Sequence, residues 1–298
     1  MLVSYTRIEI KFAIFAKNNL GDLYRVIIQK EKEIWESDDD EIKKLYTKKI
    51  KLYNIFMVIL TTSTIFAVFM LGVTGIIGNN KLIKYNRLHN ETLETHFLFQ
   101  FYFPANKLDH LICIASHMLY YSLLMFSAIQ LFLFRMKAMK AVKVTRSPEE
   151  NNRAIKELIG EHVTIIRFIA CLNDRASSIF MIEFFLSSLD IASAVASFSK
   201  LNGAELGWSL AFITVLVIQI TTLTWNANEI KEQSLSIAEG MFNSDWYLLN
   251  KEGRQMVQII ILRAQKPLVV TIGPFGPMTT HSALVTFKAA YSYVNLMK

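Results

Sequence analysis

The residues able to do covalent or metal chemistry are few and scattered. The chain has two cysteines, Cys113 and Cys171, and no CxxC, His-x-x-His or acidic cluster with metal-ligand spacing. Nothing therefore suggests a metal centre, a redox pair or an activated nucleophile, and no cofactor and no enzymatic step is expected. The patterned residues are of another kind. Glu183 and Asp190 stand seven apart in a run otherwise free of charge, so both face one side of a helix. Phe287, Ala290, Val294 and Met297 recur at intervals of three, four and three and form one apolar stripe, with Lys288 beside it. Such a stripe either packs one helix on its neighbours or, where several copies meet at an axis, closes a pore by dewetting. The acids either line a wet vestibule or bond to hydroxyls of a neighbouring helix.

The elements that must position these groups are membrane spans. Of 298 residues, 52% are hydrophobic and 19% charged, an excess of apolar residues over soluble chains. Tyr53–Asn80, Leu111–Phe134 and Leu206–Asn228 contain no Asp, Glu, Lys or Arg, and Ala176–Ser199 contains only Glu183 and Asp190. Each exceeds the roughly 20 residues that cross a bilayer. A fifth span runs from about Gly276 to Met297, after a Pro-rich break at Pro267–Pro277. The expected fold is an all-α integral membrane protein, a bundle of five transmembrane helices.

Basic residues resist translocation and set the orientation. Eleven Lys and Arg precede the first span, and seven more lie between Arg135 and Lys156, whereas the longer loop from Asn79 to His110 has four. The N-terminus is therefore expected in the cytoplasm and, with five crossings, Lys298 outside. The sequon Asn90-Glu91-Thr92 falls in the outer loop and makes Asn90 a glycosylation candidate. Cys113 and Cys171 then lie at opposite faces, too far apart to pair. The first sixteen residues include Arg7, Glu9 and Lys11 where a secretory signal would need an unbroken apolar core. The net charge of +7 reflects this topology and attraction to anionic headgroups, not nucleic acid.

The resulting layout is a cytoplasmic segment 1–52, four spanning helices over 53–228 with outer loop 79–110 and cytoplasmic loop 135–160, a cytoplasmic anchor 229–266, and the last span in 267–298. Ile155, Leu158, Ile159, Ile165, Ile166 and Ile169 keep helical spacing. One helix is therefore expected to run from the cytoplasm through the third span, capped by Ser147 with Pro148 in its first turn. Glu229–Arg263 is amphipathic and too charged to cross.

The tail from Trp246 onward carries a resemblance. Trp246, Arg254, Ile260-Ile261-Leu262-Arg263-Ala264-Gln265-Lys266-Pro267-Leu268, Gly273–Met278 and Phe287-Lys288-Ala289-Ala290-Tyr291-Ser292-Tyr293 resemble the C-terminus of an insect odorant (olfactory) receptor. The likeness extends back through Asn228-Glu229-Ile230 with Ser234 and Ala238, through Tyr102-Phe103-Pro104 in the outer loop, and through the order and length of every span, to about residue 20. Members have seven spans and a cytoplasmic N-terminus. The five spans here match the third to the seventh, and the sequence as given does not include the residues of the family's first two helices.

The resemblance implies an odorant-binding subunit of a ligand-gated, non-selective cation channel in the plasma membrane of olfactory sensory neurons. That subunit forms a hetero-tetramer with an olfactory co-receptor. It implies that the last helix lines the pore, with Val294 and Met297 near the narrow outer end, and that Lys288 makes a structural contact near the subunit interface. It implies a small volatile odorant in a mostly apolar cavity in the outer half of the bundle. The candidate walls are Phe69, Gly72 and Ile76 on the first span, Met118, Tyr121, Ser122 and Met125 on the second, and Trp208, Phe212 and Val215 on the fourth. A gustatory receptor of the same superfamily is the alternative, although its last helix carries Thr-Tyr followed by Gln-Phe, absent here. A non-conducting truncated membrane protein is another. A G-protein-coupled receptor is excluded by the opposite charge pattern, and no inverted repeat points to a transporter.

Overall fold

The computed structural model describes residues 17–37, 39–59, 61–62, 107–143, 146–196 and 204–296, with the side chains of 107–117, 204–205, 208 and 293–296 excepted. Most of the first expected span, the outer loop with its sequon, and residues 1–16 lie outside the described residues. Helices α1 (Gly21–Glu36), α2 (residues 40–59 and 61–62), α3 (Lys107–Met139), α4 (Pro148–Ala196), α5 (Ala204–Phe242), α6 (Lys251–Ala264) and α7 (Thr280–Leu296) make up nearly all of what is described. Short 3₁₀ turns occupy Trp246–Leu248 and Gly273–Phe275, and one isolated bridge joins Thr271 to Pro277. The fold is an all-α membrane bundle, as the uncharged runs require.

Helices α3, α4 and α5 are each long and apolar enough to cross a membrane. The start of α4 follows from local chemistry. The Glu150 amide donates to the Ser147 hydroxyl at 3.2 Å, and the Ser147 amide donates to the Glu150 carboxylate at 2.9 Å. This reciprocal box satisfies two otherwise orphaned amides, and Pro148 occupies the first turn. From there 49 residues continue without a break to Ala196. At 1.5 Å per residue that is about 73 Å, more than twice the hydrocarbon thickness. The apolar end of the helix is long enough to span, and its charged end continues beyond that length. The connection from α3 is pinned by Asn151, whose side chain accepts from the Lys143 amide at 3.1 Å and donates to the Lys143 carbonyl at 3.0 Å.

Pairs along the helices fix their directions. Tyr120 meets Phe180, Phe126 meets Phe168, and Phe134 stacks on His162 with ring centroids 4.8 Å apart, so α3 and α4 are antiparallel. The Tyr121 hydroxyl reaches the Gln219 carbonyl and Arg135 pairs with Glu239, so α5 runs parallel to α3. Near their C-terminal ends these two helices nearly touch: a Cβ on Gly240 would sit 2.9 Å from Arg135 Cγ and 3.3 Å from the Arg135 carbonyl oxygen. On the other side of α3, Tyr24 of α1 bonds to Ser122, and Ile34 joins Ile129 and Leu133 in a second apolar cluster. Helix α2 returns antiparallel to α3, with Lys49 over the Phe132 ring and Thr61 donating to the Met118 sulfur. The main core fills the space between α3, α4, α5, α6 and α7.

Helix α5 carries the chain without interruption from the fourth expected span into the anchor, ending at Phe242. Helix α6 then lies along the charged N-terminal part of α4, with Lys156 paired to Glu252 at 3.0 Å. Its Asn250 cap accepts from the Gly253 amide. The last helix begins at Thr280, four residues later than the sequence pattern suggests. Residues 267–279 instead fold into a small hairpin, with Ile272 N donating to Gly276 O and Met278 N to Val270 O.

Candidate functional site

Helix α3 is the element on which most of the expected ligand contacts fall, and its faces point to different neighbours. Met118, Ser122 and Met125 share one side. The Met118 sulfur accepts from the Thr61 hydroxyl of α2 at 3.5 Å. The hydroxyls of Ser122 and Tyr24 lie 2.9 Å apart and both stand within hydrogen-bond distance of the Leu119 carbonyl, which accepts from at least one of them. Met125 packs against the cluster of Ile34, Tyr46, Ile129 and Leu133. All three half-buried residues therefore look toward α1 and α2.

Tyr121 looks elsewhere. It is 2% exposed, and its hydroxyl donates to the Gln219 carbonyl of α5 at 3.0 Å. One to two turns before Gln219 in α5, Val215 is half-buried and Phe212 packs on the main core. The structure thus brings the described candidates together as two groups on different faces of α3. The side chain of Trp208 and residues Phe69, Gly72, Ile76 and Asn90 lie outside the described residues.

The polar centre of the bundle is Glu183. It is 3% exposed, between α3 and α5, and its carboxylate accepts from the Gln219 side-chain amide. Gln219 therefore joins three helices: its backbone receives Tyr121 and its side chain binds Glu183. Asp190, two turns along α4, is half-buried, and its backbone carbonyl accepts from Ser193. Of the two readings of these acids, Glu183 shows a bond to a neighbouring helix, through the Gln219 side-chain amide.

A second polar junction holds the hairpin between α6 and α7. The Asn173 side-chain oxygen accepts from the Thr271 amide at 2.7 Å and from its hydroxyl at 3.0 Å. The Leu268 amide donates to Ser234 of α5 at 3.0 Å. Gly273 has φ +51°, and a Cβ there would lie 2.9 Å from the Met181 sulfur and 3.2 Å from its Cβ. The turn thus needs a residue that tolerates left-handed backbone and leaves room for α4. Nothing in the spacing of Asn173, Thr271 or Tyr24 marks them beforehand. Gln219 could have been found as the polar residue inside an uncharged run facing Glu183.

On α7, Ala290 is 4% exposed and Phe287 packs on the main core beside buried Ala283. These residues hold the helix to its own bundle. The free face is that of Leu284, Lys288 and Tyr291, the last 67% exposed. The side chain of Val294, and Met297 altogether, lie outside the described residues. Among the described residues no group of three His, Cys, Asp or Glu could hold a metal. Cys171 is a free, half-buried thiol.

In the charged N-terminal part of α4, His162 is 4% exposed under the Phe134 ring. Burial, reinforced by the nearby Arg263 charge, lowers its imidazole to about 4.

Residues 12–291 match the family described as 7tm Odorant receptor. The chain belongs to the 7tm odorant receptor family. Odorant receptor 10 of Aedes albopictus is 31% identical over 153 residues, which is 50% of this chain and 41% of that receptor. Odorant receptor Or2 of Anopheles gambiae is 28% identical over 145 residues, 48% of this chain and 38% of that receptor. The matched stretch is thus under half the length of either relative. The solved structure of the insect olfactory receptor OR5 from Machilis hrabei superposes with a TM-score of 0.73 at 16% identity, covering 99% of this chain and 78% of that one. Its complex with eugenol gives 0.70 at 15% identity, covering 98% and 77%. At these identities the likeness is one of fold, and this odorant receptor family member shares that fold along nearly its whole described length.

Proposed function

We propose that this chain is an odorant-binding subunit of a ligand-gated, non-selective cation channel, assembled as a hetero-tetramer with an olfactory co-receptor in the plasma membrane of olfactory sensory neurons. Its N-terminus is cytoplasmic and its C-terminus extracellular. The family match over residues 12–291 carries the reading. The solved relative that binds eugenol supports a small volatile ligand.

In this reading the odorant lies among α2, α3 and α5. Met118, Ser122 and Met125 supply one wall, and Tyr121, Phe212 and Val215 another, with Phe69, Gly72, Ile76 and Trp208 completing the cavity. Flexible methionines and aromatic rings suit a small apolar guest because dispersion makes little geometric demand. Val294 and Met297 form the outer constriction, while Phe287 and Ala290 fasten the last helix to its own protomer. Asn90 carries a glycan.

The test is current. The chain is expressed in oocytes with an olfactory co-receptor and exposed to a panel of volatiles including eugenol. Odorant-evoked cation current that needs both subunits supports the reading. Surface-expressed protein that yields no current beyond the co-receptor alone overturns it.

A further inference from the structure

Three polar residues of α5 share one stripe. At roughly 100° per residue, Asn226, Glu229 and Gln233 lie within about 60° of one another. The stripe continues the direction of Gln219, whose backbone carbonyl receives Tyr121 of α3. The Glu229 carboxylate also acts electrostatically on the Tyr53 phenol of α2, so these residues face the seam where α2, α3 and α5 meet. Tyr53 and Met125 pack on the same apolar cluster. The α2–α3 contacts, Lys49 with Phe132 and Thr61 with Met118, and the α3–α5 contacts, Tyr121 with Gln219 and Arg135 with Glu239, put Tyr53, Met125 and Asn226 at one level of the bundle.

The stripe is short of donors. The Asn226 side-chain amide donates to the Thr222 carbonyl at 2.9 Å, and that of Gln233 donates to the Glu229 carboxylate at 2.8 Å. The other half of each side chain, Asn226 Oδ1 and Gln233 Oε1, is buried and has no donor among the described residues. Asn226 is 3% exposed. Glu229 is half-buried, and among the described residues no ion pair involves it. The three shortfalls have one sign: two buried carbonyl oxygens want N–H or O–H groups, and a carboxylate wants a cation.

We infer that this stripe is the polar end of the proposed odorant site and takes the ammonium group of a small primary alkylamine. The inference rests on the odorant-binding reading above and names the ligand class within it. The ammonium donates to Asn226 Oδ1, to the Glu229 carboxylate and to Gln233 Oε1, and its charge answers that of Glu229. The alkyl chain lies toward Tyr53 and Met125. An alcohol brings one donor and no charge, and an ester or a hydrocarbon brings neither. A water molecule supplies two donors and leaves the carboxylate without a cation.

The test titrates the solubilised full chain at neutral pH with hexylamine, 1-hexanol, heptane and eugenol, reading the ligand-induced rise in melting temperature. Hexylamine is expected to half-saturate at least about tenfold below 1-hexanol and heptane, the worth of one charge-assisted hydrogen bond. Glu229→Gln and Asn226→Leu should each remove most of that advantage and leave heptane unchanged. Glu229→Gln keeps size and the bond from Gln233, so the fold should persist. Glu232→Gln, which removes an exposed carboxylate from another face of α5, should bind hexylamine as the parent does. Eugenol or heptane binding as tightly as hexylamine, with Glu229→Gln without effect, overturns the inference and leaves the odorant-binding reading standing. An equal loss in Glu232→Gln reduces the effect to surface charge and also overturns it. A parent chain that binds none of the four guests overturns the inference together with the reading it rests on.

Discussion

Asn173 and Thr271 are locked together through one oxygen: the Asn173 carboxamide accepts both the backbone amide and the hydroxyl of Thr271, 98 positions away. That single acceptor ties the long helix α4 to the hairpin that launches α7. Asn173→Ala leaves the Thr271 amide without this acceptor and should cost about 1–3 kcal/mol. Hydrogen exchange should speed up across residues 268–278, while Asn173→Asp, which keeps the oxygen, should stay close to the parent. Unchanged exchange in the alanine variant would show that Val270 and Met278 hold the hairpin by packing alone.

The His162 imidazole gives a pH prediction. Its folded-state value, near 4, is depressed below the ordinary 6.5 by burial and by Arg263. The unfolded chain therefore takes up a proton first as pH falls. Stability is full above about 6.5 and declines as pH drops from there toward 4. The expected loss is roughly 1–3 kcal/mol, read as a fall in the melting temperature of the solubilised chain. His162→Phe preserves a stack on Phe134 and should flatten that slope; a parent slope retained by the variant would rule His162 out as its source.

Gln219→Leu should be more damaging than Glu183→Gln. The first removes the side-chain donor that faces a buried carboxylate, about 1–3 kcal/mol, whereas the second keeps a hydrogen-bonding group of the same size. Thermal unfolding in one detergent compares them. Equal melting temperatures would mean that the Glu183 carboxylate gains little from Gln219.

At Gly240 even the Cβ of alanine forces Arg135 to shift, and larger side chains should do more damage. Its Cβ position is 2.9 Å from Arg135 Cγ, so Gly240→Leu must push α3 and α5 apart where they run closest and break the Arg135–Glu239 pair, at about 1–3 kcal/mol. Loss of monodisperse protein on size exclusion, with partial recovery in a Gly240→Leu/Arg135→Ala double variant, is the expected outcome.

Much of the fold was legible because the bilayer leaves strong marks. Uncharged runs announced α3 and α5, and the Ser147-Pro148-Glu149-Glu150 box announced the start of α4 together with its passage into the span. The candidate ligand residues were harder to group. Helix α3 is apolar on nearly every side, so periodicity cannot tell which face meets which neighbour. Tyr121 and Ser122, adjacent in sequence, turn about 100° apart and belong to different groups. The stripe through Phe287 and Ala290 was ambiguous for a related reason, since an apolar face packs on its own bundle or on a pore axis by the same spacing. Tyr24 and Ser122 meet across 98 residues, and no local rule links them.

The 49-residue rod of α4 has a mechanical consequence. A helix without a break transmits tilt along its whole length. At about 73 Å, a five-degree rotation about one end carries the other by about 6 Å. His162 and Glu183 sit on that one shaft, with the Asn173 junction between them. A displacement at the charged end of the rod therefore reaches the carboxylate in its apolar part as geometry, with no relay of side chains required.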